Sequence, residues 1–213
     1  MARSRIIQSQ LGKTLEMEEA ELKKFIGSNN ETEIYYRYLI GQDVWYFQRN
    51  GGEFSAGYDE FKKFISLKLG IPFNNISIVG SAKTRYSFSP SKNFKEFNDD
   101  SDFDLIIVSN DMYRKIWSAY REISQQTYLT GYNLKCANIF NGFVSIRDSD
   151  STYGNEILQD WQRKVRTFKT DLQLKFGIQH EINYRIYSDW ESVQDYHVRG
   201  IAKLKRETNN EIN

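Results

Sequence analysis

The sequence predicts an α+β protein in which a few short strands sit among longer amphipathic helices. Three stretches carry that prediction. Ile76-Ser77-Ile78-Val79 is a β-type run that stops at Gly80-Ser81. Asp102-Phe103-Asp104-Leu105-Ile106-Ile107-Val108 is an apolar run, β-branched toward its end and entered from an acidic turn. Ile178 to Tyr187 alternates: Ile178, His180, Ile182, Tyr184 and Ile186 take one side, and Gln179, Glu181, Asn183, Arg185 and Tyr187 the other.

In chain order, Met1 to Lys13 carries Arg3, Arg5 and Lys13 with little pattern and reads as an arm or a first helical turn. Thr14 to Ile26 predicts a helix with Thr14 as cap and Glu16, Glu18 and Glu19 near its start, where negative charge suits the dipole. Gly27 to Asn30 ends it. A second helix is expected from Glu31 to about Phe47, with a row of tyrosines that serves as core or stacks on bases. Asn50-Gly51-Gly52 is a linker-like break. Tyr58 to Leu69 is amphipathic, with Phe61, Phe64, Ile65, Leu67 and Leu69 toward one broad side, and Gly70 and Pro72 stop it.

The spacer from Ala82 to Ser101 is rich in Ser, Lys and Asn and contains Pro90, so much of it reads as loop. Ser109-Asn110-Asp111 caps a helix to about Tyr128. Leu134 to Ile146 is ambiguous, β-leaning at its end and broken by Asn141-Gly142. Asn155 to Phe176 is a long helix closed by Gly177. A last helix runs from about Ser188, as cap, to Leu204, and Lys205 to Asn213 is a polar tail. The organisation is a helical extension over 1–50, a main domain over 51–204 and a tail over 205–213.

Composition bounds the function. The 213 residues are 39% hydrophobic and 27% charged, as in a soluble globular protein. A formal net charge of +1 gives no global field toward nucleic acid or an anionic membrane, so any basic surface is local. No apolar stretch approaches the roughly eighteen residues of a membrane span, and the start lacks the apolar core of a signal peptide. The single Cys136 makes no internal disulfide, and His180 and His197 are too few for a zinc site; a cytoplasmic location is the expectation.

The chemistry concentrates between Val79 and Val108. Successive strand side chains point to opposite faces, so Asp102 and Asp104 share one, roughly 7 Å apart along the chain. Two carboxylates so placed can hold one or two divalent cations. Gly80 permits a tight turn and close backbone approach, and Ser81 can donate to a phosphate oxygen. A calcium loop starting at Asp100 fails, because its sixth position is Leu105 and its twelfth Asp111.

Strand, Gly80-Ser81, spacer, then a strand opening with Asp102-x-Asp104 resembles the nucleotidyltransferase superfamily that includes DNA polymerase β. The resemblance covers about thirty residues and implies a mixed β-sheet flanked by helices, with the N- and C-terminal helices as additions. It implies transfer of a nucleotide to a hydroxyl, dependent on Mg²⁺ (or Mn²⁺), with Gly80 and Ser81 on the triphosphate and Asp102 and Asp104 on the metal. Lys83 and Arg85, next to the turn, are candidate phosphate contacts, as is Arg185 with its planar fork; the alternative for the spacer lysines is a solvated surface loop. The spacer is longer than is usual in the family.

The family also supplies a third acid from a later strand. Glu181 is the candidate catalytic and metal-binding residue, with pairing to Arg185 or a lysine as its alternative role; Asp148 and Asp150 are weaker candidates. The expected ligand is a nucleoside triphosphate, and the acceptor a protein partner, an RNA end or a small molecule, with no membrane involved. The other class of function is an inactive fold that binds a partner, antitoxin-like, or senses a nucleotide.

Overall fold

The computed structural model describes residues 18–49 and 55–212. The expected helix start at Thr14, the N-terminal arm and the linker-like break at Asn50 lie outside those residues. Four strands, β1 (Ile76–Val79), β2 (Phe103–Val108), β3 (Phe143–Val144) and β4 (Ile182–Tyr187), form one mixed sheet in the order β1-β2-β4-β3. β1 runs antiparallel to β2, β4 parallel to β2, and β3 antiparallel to β4. The α+β expectation is met.

β2 explains why the sheet is covered on both faces. Its residues are buried except Asp104, and a strand apolar on both sides needs two layers above it. On the first face Phe103, Leu105 and Ile107 meet three helices: α4 (Ser55–Leu69) with Phe61 and Ile65, α6 (Asn110–Gln126) with Ile116 and Ile123, and α8 (Glu156–Phe176) with Val165 and Phe168. On the second face Ile106 and Val108 meet α1 (Glu19–Ser28) and α9 (Trp190–Ile212) through Leu22, Ile26, Val193 and Ile201. Each such aliphatic side chain, once buried, contributes about 1.5–3 kcal/mol.

The caps follow local chemistry. The Ser109 hydroxyl accepts from Met112 N, and Asn155 Oδ1 accepts from Ile157 N and Leu158 N. Before α9 the cap is Asp189 rather than the expected Ser188: its carboxylate accepts from Ser192 N, while the Ser188 hydroxyl donates to it. No helix among the described residues is long and apolar enough to cross a membrane.

Two further expectations differ from the structure. The helix expected over Glu31–Phe47 is broken into α2 (Glu31–Ile34), a π-helical stretch (Tyr35–Ile40) and α3 (Trp45–Gln48). The wider turn buries Tyr35, Tyr38 and Leu39 and closes when Gly41 N donates to Tyr36 O. A Cβ at Gly41 would stand 2.7 Å from Arg37 O, so this exit needs a glycine. The tail expected from Lys205 is helical instead, because α9 continues to Ile212. Thr208 is buried and donates to Leu204 O, and Lys205 donates to Asn29 O, tying α9 to the end of α1. The ambiguous stretch before β3 resolves as α7 (Tyr132–Phe140).

Candidate functional site

β1 ends at Gly80, and a four-residue helical turn, α5 (Ser81–Thr84), follows it. Gly80 has φ 75°, a conformation natural to glycine. A Cβ there would lie 2.8 Å from Asp104 Oδ2. The glycine therefore leaves the room that Asp104 occupies. β1 and β2 bring them together through their register, in which Val79 lies opposite Asp104.

Asp104 is the polar member of a strand that is otherwise buried. Burial raises its carboxyl above the usual carboxylate range, against the pull of Arg185 and Lys92. Its Oδ1 lies 3.7 Å from Arg185 Nη2, and Asn183, opposite it on β4, hydrogen-bonds to it. Asp102 and Asp104 open with Gly80 and Ser81 on one cavity of about 680 Å³. The expected residues Gly80, Ser81, Asp102, Asp104 and Arg185 thus meet in one place.

Three other expected site residues are elsewhere. Lys83 is 1% exposed, and its ammonium donates to Gly41 O beneath the turn rather than into the cavity. Burial lowers its pKa to about 7, against the attraction of Asp43. Arg85 is taken by Glu96 at 2.7 Å and Glu18 at 3.8 Å. Glu181 stands beside β2 by its backbone, its carbonyl accepting from Phe103 N. Its carboxylate, 71% exposed, accepts from Lys169 Nζ on α8 and does not line the cavity. Asp150 accepts from Arg147 N and lines a neighbouring cavity. Among the described residues no group of three or more His, Cys, Asp or Glu could hold a metal ion.

Other residues complete the wall. Lys92, on the short 3-10 turn Pro90–Lys92, Arg147 before α8 and Lys203 on α9 all line the cavity, and none has an ion pair among the described residues. Tyr196, Arg199 and Lys203 form a stripe along α9, at spacings that put them on one helical face, and His197 also lines the cavity. Burial, helped by Arg185, lowers His197 to about 3, so its imidazole is neutral. Among the described residues its Nε2 is buried without a hydrogen-bond partner. The signals for these residues were present: strand alternation puts Asn183 with Arg185, and the 196, 199, 203 spacing marks the α9 face. Nothing in either pattern separates a cavity wall from an ordinary polar surface.

No protein-family model, curated protein or solved structure matches the chain.

Proposed function

We propose that the chain is a nucleotidyltransferase that binds a nucleoside triphosphate with Mg²⁺ (or Mn²⁺) and transfers the nucleotide to a hydroxyl. One observation carries the reading: two carboxylates beside a Gly-Ser turn share a cavity with Lys92, Arg147 and Lys203, cations that have no ion pair among the described residues. A polyphosphate meets both needs, because its oxygens pair with cations and bridge a divalent ion to carboxylates.

The donor set fits such an ion. Mg²⁺ is commonly held by one or two carboxylates together with substrate phosphates, and Asp102 and Asp104 are two. When bound, the ion neutralises phosphate charge as pyrophosphate leaves. Gly80 lets the chain approach the phosphates closely, Arg185 orients Asp104, and the unpaired cations take the phosphate oxygens.

A second reading is a binding module that senses the nucleotide without transferring it. The position facing Asp104 on β4 is Asn183, and Glu181 is held by Lys169, which favours this alternative. Incubation with each α-labelled NTP and Mg²⁺, with pyrophosphate release as readout, separates the two. Release by wild type and its loss in Asp102→Asn/Asp104→Asn support transfer. Tight Mg²⁺-NTP binding with no release supports sensing, and no binding rejects both.

A further inference from the structure

A second cavity, of about 620 Å³, lies on the other side of Asp104. It shares Asp104, Asn183, Arg185, Arg147 and Tyr196 with the first, so the two meet at one wall. α7 forms one side and the loop over 145–153 the other. We propose that this second cavity binds a neutral, hydroxyl-bearing small molecule of nucleoside size, the acceptor of the transfer.

The lining selects that chemistry. Lys135 lies 3.9 Å from Asp150, so the pair largely cancels inside the cavity. Arg147 stands at the wall shared by both cavities, while Lys92 and Lys203, which have no ion pair among the described residues, line the first and not the second. A polyphosphate is therefore drawn to the first side, and a neutral molecule suits the second. Ser145, Ser149, Ser151, Thr130 and Asn138 offer hydroxyls and an amide to a polyhydroxylated ligand. Phe143 and Tyr196 pack edge to face with centroids 5.1 Å apart, the Arg185 guanidinium lies 5.9 and 5.5 Å from those centroids, and Leu134 on α7 stands 65% exposed. A flat ring meets Leu134, Tyr196 and the planar guanidinium while its hydroxyls reach the serines. The volume falls in the range of about 300–1,000 Å³ usual for small-ligand sites.

The shared wall also places the reacting groups. An acceptor hydroxyl in the second cavity approaches a phosphate in the first across Asp104. Its oxygen bonds to the α-phosphorus, the bond from that phosphorus to the pyrophosphate oxygen breaks with its electron pair on pyrophosphate, and the hydroxyl proton passes to solvent.

The inference rests on the reading of the first cavity, and calorimetry separates the two. Adenosine, guanosine, cytidine and uridine are titrated into the protein, alone and loaded with Mg²⁺ and a non-hydrolysable NTP analogue. At least one nucleoside is expected to bind the loaded protein. Ser149→Trp fills only the second cavity and should weaken that binding tenfold or more, with analogue affinity changed less than twofold. Ser151→Trp, also at an exposed position, repeats the test should the first variant fail to fold. Absence of binding by all four nucleosides, or binding indifferent to both tryptophans, overturns the proposal. Nucleoside binding that responds to the tryptophans in a protein with no affinity for the analogue sustains the second cavity and rejects the reading of the first.

Discussion

At the scale of single residues, the site depends on one absent side chain. Gly80→Val adds a branched side chain where a Cβ alone already falls 2.8 Å from Asp104 Oδ2, at φ 75° and ψ −163°, a region essentially restricted to glycine that costs another residue about 1–3 kcal/mol. The variant should displace Asp104 and lower Mg²⁺-NTP affinity at least tenfold, while Ser81→Ala costs less; unchanged affinity in a folded Gly80→Val protein would exclude this turn as the phosphate cradle. Lys83 makes a different prediction. Its folded pKa of about 7 lies below its ordinary 10.5, so between those values the unfolded chain binds more protons. Stability contributed at this position is therefore least below pH 7 and rises as the pH climbs toward 10.5. Denaturant melts of wild type and Lys83→Met should show wild type gaining on the variant across that window, by a few kcal/mol at most. A constant difference would mean that Lys83 stays charged in its buried bond to Gly41 O.

At the scale of elements, strand register decides which acid is available. Alternation correctly put Glu181, Asn183 and Arg185 on one side of β4, but alternation cannot say where along the strand the partner begins. β4 enters the sheet at Ile182 opposite Phe103, so Asn183 is the residue that faces Asp104. Glu181 falls before the paired stretch and goes to Lys169. Glu181→Gln should accordingly leave Mg²⁺-NTP binding and any transfer unchanged within twofold. Asn183→Asp should set a third carboxylate next to Asp104. Without metal the like charges should lower stability by about 1–3 kcal/mol. Millimolar Mg²⁺ should return part of that loss, which thermal melts with and without the ion will read. A melting temperature insensitive to Mg²⁺ in this variant would place the metal elsewhere.

The limits of the sequence at this level have physical causes. β1, β2, β4, the Gly80-Ser81 turn, α6 and α8 were legible because local pattern and tertiary burial agree in them. The tyrosine row was read as one helix because a 3.6-residue period does not reveal a wider π turn, which burial of Tyr35, Tyr38 and Leu39 accompanies here. The directions of Lys83 and Arg85 depend on Gly41 and Glu96, which lie 42 and 11 residues away, and no local pattern encodes such contacts.

At the scale of the whole molecule, both ends of the described chain act on the site through one layer. The second face of the sheet is closed by α1, the Tyr35–Ile40 stretch and α9 together, around Leu22, Ile34, Leu39, Val193 and Leu204. The same α9 carries Tyr196, His197, Arg199 and Lys203 along the cavity, and Leu39 lines it from the π turn. Lys205 holds this arrangement from outside by donating to Asn29 O at 2.7 Å, with Glu31 3.4 Å away. Thr208, 2% exposed, continues the packing beyond the point where hydropathy suggests a polar tail. A truncation after Leu204 removes both contacts and the last turns of α9. It should cost about 1–3 kcal/mol, from a buried side chain and a charge-assisted hydrogen bond. Because α1 and α9 share a core, faster hydrogen exchange should appear in Glu19–Ser28 as well as at the cut end, and nucleotide affinity should fall although no cavity residue is touched. Lys205→Met keeps the helix and removes only the tie to α1, so it should give a smaller share of both effects. Exchange in α1 that is indifferent to the truncation would show that the two helices are secured to the sheet independently.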